Sequence, residues 1–401
     1  MKYDVSRIRK YFPALESGIA FFDGPGGSQV PKIVGDRMAE TITSAISNRG
    51  LTTSSEITAN EIVKNFRQAA ADLVDGHPQG VVFGRSWTQL SYDFSRNISK
   101  MWSPGDEVIV TRIDHDSNVR PWIQAAERVG AIVKWAEFDL ETGELPVSAI
   151  AKLISSRTRL VAVTGASNVL GTRPDLAAIS KVVHSVGALF FVDGVHLTPH
   201  APVSMKEIGA DFFGFSAYKL LGPHCGVLLA DPALLEAIPN EKLKPSTAVV
   251  PERFEFGTLP YELLAGVSAA IDFIADLVPS QLLARREKIV ASMSALEEYE
   301  QELFDYMESK LLSLRGLKSY GHAAVRTPTL FFTFEGVDST KVYQHLAGKK
   351  VNVPVSNFYA LEASVALGLG EGGALRAGLA AYSTHDDVDR LISGIEEVVN
   401  S

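Results

Sequence analysis

Leu189-Phe190-Phe191-Val192-Asp193-Gly194-Val195-His196 and, further on, Phe212-Phe213-Gly214-Phe215-Ser216-Ala217-Tyr218-Lys219 decide the fold of this chain. Each opens on a short apolar run without polar alternation, the pattern of a strand covered on both faces. Each then ends on polar residues, Asp193 in the first and Ser216 and Lys219 in the second. Working outward, Val81–Gly84, Glu107–Thr111, Ala131–Phe138, Leu160–Thr164 and Gly226–Ala230 also read as strands, rich in Val, Ile and Phe and several of them without polar alternation. Between most of these runs lie amphipathic stretches such as Val119–Val129 and Asp175–Val186, the latter following Pro174. Strands alternating with helices predict an α/β fold with a mainly parallel seven-stranded sheet. Ligands gather beyond the carboxyl ends of such strands, which is where Asp193 and Lys219 fall.

After about residue 260 the pattern changes. Tyr261–Leu277 and Ser280–Leu314 read as long helices, Thr329–Phe334, Val351–Val355 and Leu375–Ala380 as strands, and Thr384–Val399 as a terminal helix. The expected organisation is a large domain over 21–260 and a small α+β C-terminal domain over 261–401, with residues 1–20 packing against the latter. The acidic run Glu297-Glu298-Tyr299-Glu300-Gln301-Glu302 points its carboxylates in several directions and reads as a solvated helix face rather than a metal site.

Composition narrows the function by exclusion. The 401 residues carry 38 Lys and Arg against 47 Asp and Glu, a formal net charge of −9, with no basic run. A duplex-binding protein carries a basic stripe, so no nucleic-acid partner is expected. No apolar stretch approaches the ~20 residues that span a bilayer, and residues 1–16 lack the apolar core of a signal peptide. The expectation is a cytoplasmic protein with no membrane contact. A single cysteine, Cys225, excludes an intrachain disulfide and a multi-cysteine metal site, and no metal is expected.

The strand ends carry the chemistry. A lone strand-end lysine is commonly a surface residue, but Lys219 follows Ser216, whose hydroxyl can bind a phosphate oxygen, and precedes the tight turn Gly222-Pro223. A desolvated lysine loses proton affinity and becomes a nucleophile toward an aldehyde. Asp193 either caps the next helix or keeps a pyridine nitrogen protonated, so that the ring of pyridoxal 5′-phosphate (PLP) can accept electrons from a substrate α-carbon. Gly84-Arg85-Ser86-Trp87-Thr88-Gln89 runs from a strand into a helix start, where free amides and Thr88 can bind phosphate; an ordinary N-cap reads the same way. His115, in Asp114-His115-Asp116-Ser117-Asn118, can stack on a planar ring or stand in solvent. Asn168, in Ala166-Ser167-Asn168-Val169-Leu170-Gly171-Thr172, can hydrogen-bond the cofactor's phenolic oxygen. Arg376 stands inside the apolar stretch Leu375-Arg376-Ala377-Gly378-Leu379. Its fork of donors there needs an anion, either a substrate α-carboxylate or an internal salt bridge.

Together these motifs resemble the class V (fold type I) aminotransferase family of PLP enzymes, specifically its cysteine desulfurase-like branch. The resemblance runs nearly end to end. Phe22-Asp23-Gly24-Pro25-Gly26-Gly27-Ser28 is similar to the family's glycine-rich opening motif, and Arg49-Gly50 with Ser54 and Glu61 to the stretch after it. The resemblance implies PLP held by Lys219 as a Schiff base, Asp193 beside the pyridine nitrogen, His115 stacked on the ring, and Thr88 and Ser216 on the phosphate. Trp87, Asn168, His196 and Tyr218 complete the cofactor's surroundings. Arg376, with Tyr382-Ser383-Thr384 after it, matches the arginine that takes the substrate carboxylate. Arg253-Phe254-Glu255-Phe256-Gly257-Thr258 resembles the segment whose Gly257 and Thr258 reach the phosphate of the opposite subunit, which implies a homodimer with a shared active site. The catalytic candidates are Lys219, His115, Asp193 and His196, and the expected substrate is a small amino acid.

Three departures bear on the reaction. The residue before the lysine is Tyr218 where the family usually has histidine, and the third residue after the aspartate is His196 where it usually has glutamine. Above all, a desulfurase carries a nucleophilic cysteine on a loop shortly before the carboxylate arginine, and the equivalent Asn352–Gly373 has none. Cys225 opens an apolar run and reads as a small buried hydrophobe, the rival being a relocated sulfur acceptor. The expected reaction is a lyase-type elimination without persulfide formation, with transamination and carbon–carbon bond formation as alternatives. A non-catalytic PLP-binding scaffold would be expected to lose one of Lys219, Asp193 and Arg376, and all three stand.

Overall fold

The apolar runs assemble as their patterning dictates. In the computed structural model, which describes residues 2–399, a short strand β1 (Ala20–Phe21) precedes β2 (Val81–Gly84), β3 (Glu107–Thr111), β4 (Ile132–Ala136), β5 (Thr158–Thr164), β6 (Leu189–Asp193), β7 (Phe212–Ser216) and β8 (Gly226–Ala230). Strands β2 to β8 form one seven-stranded sheet in the order β2-β8-β7-β6-β5-β3-β4, parallel except for β8, which opposes both neighbours. The fold is α/β with a mainly parallel central sheet. Successive side chains enter two apolar layers: Val108, Val110, Leu160, Ala162 and Phe191 on one face, Ile109, Val161, Val163, Phe190 and Val192 on the other. Burying each of the larger ones is worth about 1.5–3 kcal/mol, which is why these strands show no polar alternation. Helices Trp87–Ile98 and Arg120–Val129 cover the first face, Ser54–Val74 and Tyr261–Ala275 the second.

The C-terminal region combines the 28-residue helix Arg285–Leu312 with β9 (Leu317–Tyr320), β10 (Thr329–Phe334), β11 (Val351–Asn352), β12 (Val355–Ser356) and β13 (Ala374–Gly378). Four of these make an antiparallel sheet in the order β12-β13-β10-β9, while β11 pairs in parallel with β1. The first residues lie against this region. Tyr3 donates its hydroxyl to the Ala381 carbonyl (2.5 Å), and Arg9 binds Asp387 (3.0 Å). Among the described residues no helix is long and apolar enough to cross a membrane.

Several local expectations need correction. Val351–Val355 is two strands on different sheets, because Pro354 has no N–H to donate and breaks the ladder between them. The second long helix starts at Arg285, not Ser280, and β9 has no counterpart in the sequence reading. The acidic run is not all solvated: Glu300 is buried, with Oε2 at 2.8 Å from His200 Nδ1, while Glu298 and Glu302 are exposed.

Candidate active site

Loops leaving the carboxyl ends of β2, β3, β5, β6 and β7 surround a cleft of about 460 Å³. Trp87 and Thr88 come from the helix start after β2, His115 from the loop after β3, and Asn168 from the loop after β5. Asp193 ends β6 with His196 just beyond it, and Ser216 ends β7 with Tyr218 and Lys219 following. The structure thus brings together nine of the residues singled out from sequence.

Asp193 is buried, and two donors fix its carboxylate. Trp87 Nε1 donates to Oδ2 (2.6 Å) and the Val195 amide to Oδ1 (3.0 Å). Trp87 reaches it because β7 carries Gly214: a Cβ there would lie 1.7 Å from the indole. The ring also stacks on Phe191 at 5.5 Å. Burial pushes Asp193 up to about 6, opposed by its two hydrogen bonds and by Lys219.

Lys219 ends a 3₁₀ turn, Ala217–Lys219, and is the only buried lysine among the described residues. No carboxylate lies within ion-pair distance of it there. Burial, followed by the nearby Arg376, lowers its amine to about 8 against the pull of Asp193. The turn beyond it places Leu221, not Gly222, at positive φ (59°), with Ser28 Oγ accepting from the Leu221 amide (2.9 Å).

Two histidines in the cleft are held neutral. Burial, then Lys219 and Arg376, lower His115 to about 3, and its Nδ1 accepts from the Ser117 amide (3.1 Å). Burial also lowers His196 well below its ordinary value, with His200, Lys219 and Arg376 adding to the effect. His196 Nε2 lies 3.0 Å from Thr329 Oγ1, and its ring meets His200 edge-on at 5.2 Å. Asp114, a member of the motif to which no role was given, anchors the His115 loop. It accepts from Asn118 Nδ2 (2.6 Å) and from the Thr111 hydroxyl, and burial first, then Asp193, push it up to about 7. Its position next to His115 at the end of a strand was the available signal.

At the start of helix Trp87–Ile98, Ser86 Oγ accepts from the Gln89 amide (3.1 Å), leaving the Trp87 and Thr88 amides without a partner among the described residues. With the Thr88 and Ser216 hydroxyls in the same cleft, this helix end can hold an anion. Arg376 arrives from β13 and is buried, yet no carboxylate lies within 4.0 Å, so the internal salt bridge does not form. Its Nη1 donates to the Asn168 carbonyl (3.0 Å), its Nε has no partner, and the Phe358 ring lies 3.7 Å from Cζ. Asn168 donates through Nδ2 to the Phe358 carbonyl (3.0 Å) while Oδ1 is unpartnered. Unsatisfied buried polar atoms are rare, and two on touching residues mark a site that a ligand completes.

Three sequence-singled residues lie apart from this cleft. Gly257 and Thr258 stand in an exposed loop, with Thr258 Oγ1 3.2 Å from Asn48 Oδ1. Their neighbours turn inward: Glu255 accepts from Arg67 (2.8 Å) and the Phe83 amide (2.8 Å). Cys225 is 1% exposed, and burial pushes its thiol up to about 12.

The sequence profile described as Aminotransferase class-V matches residues 20–391, which takes in every residue of the cleft. The chain belongs to the class-V aminotransferase family. An uncharacterised protein of Mycobacterium tuberculosis is 37% identical over 98% of this chain and 99% of its own length. An aminotransferase-like protein of Gibberella zeae is 33% identical over 99% of both. Among solved structures, the cysteine desulfurase CsdA of Escherichia coli matches with a TM-score of 0.87 at 26% identity, covering 100% of this chain and 99% of that one. The cofactor of this class-V protein is PLP. The cleft fits it: a buried amine free of an ion pair suits the aldehyde, a fixed buried carboxylate the pyridine nitrogen, and a helix start with two free amides the phosphate.

Proposed function

We propose that this protein is a PLP-dependent lyase that eliminates the β-substituent of a small amino acid, a C–S bond being the leading case, without forming a persulfide on the protein. The observation that carries this reading is the lack of a usable thiol in a desulfurase-like frame. Cys225 is the chain's only cysteine, sealed at the entry to β8, and a thiol near 12 is ionised to about one part in 10⁵ at pH 7. The segment Asn352–Gly373 offers Ser356, Asn357, Tyr359 and Ser364 in its place, none of which can form a persulfide.

When bound, the cofactor supplies an electron sink that lowers the cost of breaking bonds at the substrate's α- and β-carbons. Lys219 holds its carbonyl carbon and, with a proton affinity near 8, is the residue suited to moving a proton at the α-carbon. Asp193, locked by Trp87 and Val195, holds the ring nitrogen. Thr88, Ser216 and the free amides hold the phosphate; Asn168 and Tyr218 line the same cleft. His115 is a neutral ring wall. His196, neutral and bonded to Thr329, is a hydrogen-bonding neighbour and a poor acid. Arg376 takes the α-carboxylate. A homodimer is part of the proposal, because the exposed Gly257-Thr258 loop serves no purpose in its own cleft and carries Phe256 with 59% of its surface in solvent.

The test is incubation with L-cysteine, comparing wild type with Cys225→Ala. Elimination adds water and releases sulfide, pyruvate and ammonia in equal amounts, so the expected result is those three products from both proteins and no sulfur on the protein by mass spectrometry. A persulfide on Cys225, with sulfur release abolished in the variant, would overturn the proposal. Accumulation of the aminated cofactor with the matching keto acid would establish transamination instead.

A further inference from the structure

Within Asn352–Gly373 the turn Ser356-Asn357-Phe358-Tyr359-Ala360 has an unusual backbone. Phe358 and Tyr359 are consecutive non-glycine residues at positive φ, 51° and 60°. Side chains with a Cβ disfavour that region, and it persists only where surrounding contacts impose it. The contacts are present. Asn357 Oδ1 accepts from the Tyr359 amide (2.9 Å) and Asn357 Nδ2 donates to the Glu371 carbonyl (2.8 Å). The two carbonyls of the turn grip the loops opposite: that of Phe358 accepts from Asn168 (3.0 Å) and that of Tyr359 from the Asp116 amide (2.7 Å). Three residues on, Glu362 binds both Arg112 (2.8 Å) and Arg120 (3.0 Å).

This bracing has one consequence beside the cleft, where Asn168 of its lining meets both Phe358 and Arg376. It lays the Phe358 ring over the Arg376 guanidinium, 3.7 Å from Cζ, and with Nη1 tied to Asn168 the fork can no longer rotate. The ring covers one face and leaves the in-plane N–H donors of the edge, among them the unpartnered Nε, as the place for an anion. Simple filling of space would not require the ring to face a cation, or two strained residues to hold it there.

We propose that Phe358 is a positioning residue for Arg376, and that the left-handed Phe358-Tyr359 turn is the device that orients the guanidinium toward the substrate carboxylate. This rests on the reading that Arg376 takes that carboxylate. The experiment follows the absorbance of the bound cofactor while the holoenzyme is titrated with L-alanine and, separately, with ethylamine, which keeps the amine and lacks the carboxylate. Phe358→Leu keeps an apolar side chain and removes the ring; Phe358→Trp keeps an aromatic face. In Phe358→Leu the Kd for L-alanine should rise on the order of tenfold while that for ethylamine stays within about twofold, and Phe358→Trp should recover most of the loss. Unchanged L-alanine binding in Phe358→Leu, or an equal loss for both ligands, would overturn the proposal. Arg376→Ala separates the two levels. L-Alanine binding unaffected by that variant would overturn the carboxylate reading itself; lost there but intact in Phe358→Leu, it would remove the positioning role alone.

Discussion

Lys219 destabilises the fold that contains it. Its amine falls from 10.5 in an exposed chain to about 8 when buried, so below pH 8 both folded and unfolded chains hold the proton and the folded one carries the whole burial cost. The size is about 3 kcal/mol at 1.36 kcal/mol per pH unit. Between pH 8 and 10.5 the unfolded chain holds a proton that the folded one has released, and the penalty fades as pH rises. Lys219→Met, compared with wild type after both are stripped of cofactor, should therefore be more stable by about 3 kcal/mol at pH 7, with the gap narrowing toward pH 10. Denaturant midpoints measured across that range check it, and a gap that does not change with pH would contradict the burial of a titrating amine. Asp193 and Lys219 were legible in the sequence because one ends an apolar strand and the other follows one closely, at the strand ends where ligands gather. Asp114 was less so, because its importance lies in bonds to Thr111 and Asn118 that no spacing announces.

Elements place these residues through contacts between segments far apart in the chain. Helix Trp87–Ile98 delivers an indole to Asp193 across β7, and the passage is open only because position 214 lacks a side chain. Gly214→Ala should push Trp87 off the carboxylate, at a cost of about 1–3 kcal/mol in stability from overpacking, and leave the cofactor more easily lost. Dialysis followed by the cofactor's absorbance measures the second effect; retention equal to wild type would show that the Trp87–Asp193 bond does not hold the site. Most of the seven central strands could be read from sequence since burial on both faces leaves unbroken apolar runs; the edge strand β4, only half-buried and carrying Lys134, showed by its Val, Ile and aromatic content. Strand β9 could not: Leu317-Lys318-Ser319-Tyr320 lies at a sheet edge, where burial imposes no such pattern. Glu300 was misread for a related reason. A helix of 28 residues presents every side in turn, and only the packing shows that position 300 faces His200.

At the scale of the molecule, the cleft is lined by the loops of the central sheet, and Asn168 in its lining joins it to Arg376 of β13. The sheet supplies the amine, the fixed carboxylate and the anion-binding helix start; β13 and the turn at Phe358-Tyr359 supply the unpaired guanidinium and the ring that covers it. The first set follows from alternating strands and helices, so it could be located by pattern. In the second, Arg376 stood out by its apolar surroundings, while Phe358 and Tyr359 did not, because their role depends on a backbone conformation that neither residue type prefers. The central claim is that this convergence gives PLP one attachment point. Among the described residues Lys219 is the only lysine out of solvent, so the whole chain can serve as its own control. The measurement is borohydride reduction of the native holoenzyme, which fixes the cofactor to the lysine that holds it, followed by digestion and peptide mapping by mass spectrometry. The expected result is a pyridoxyl group on the peptide containing Lys219 and on no other; the same group on a different lysine, with Lys219 unmodified, would contradict the claim.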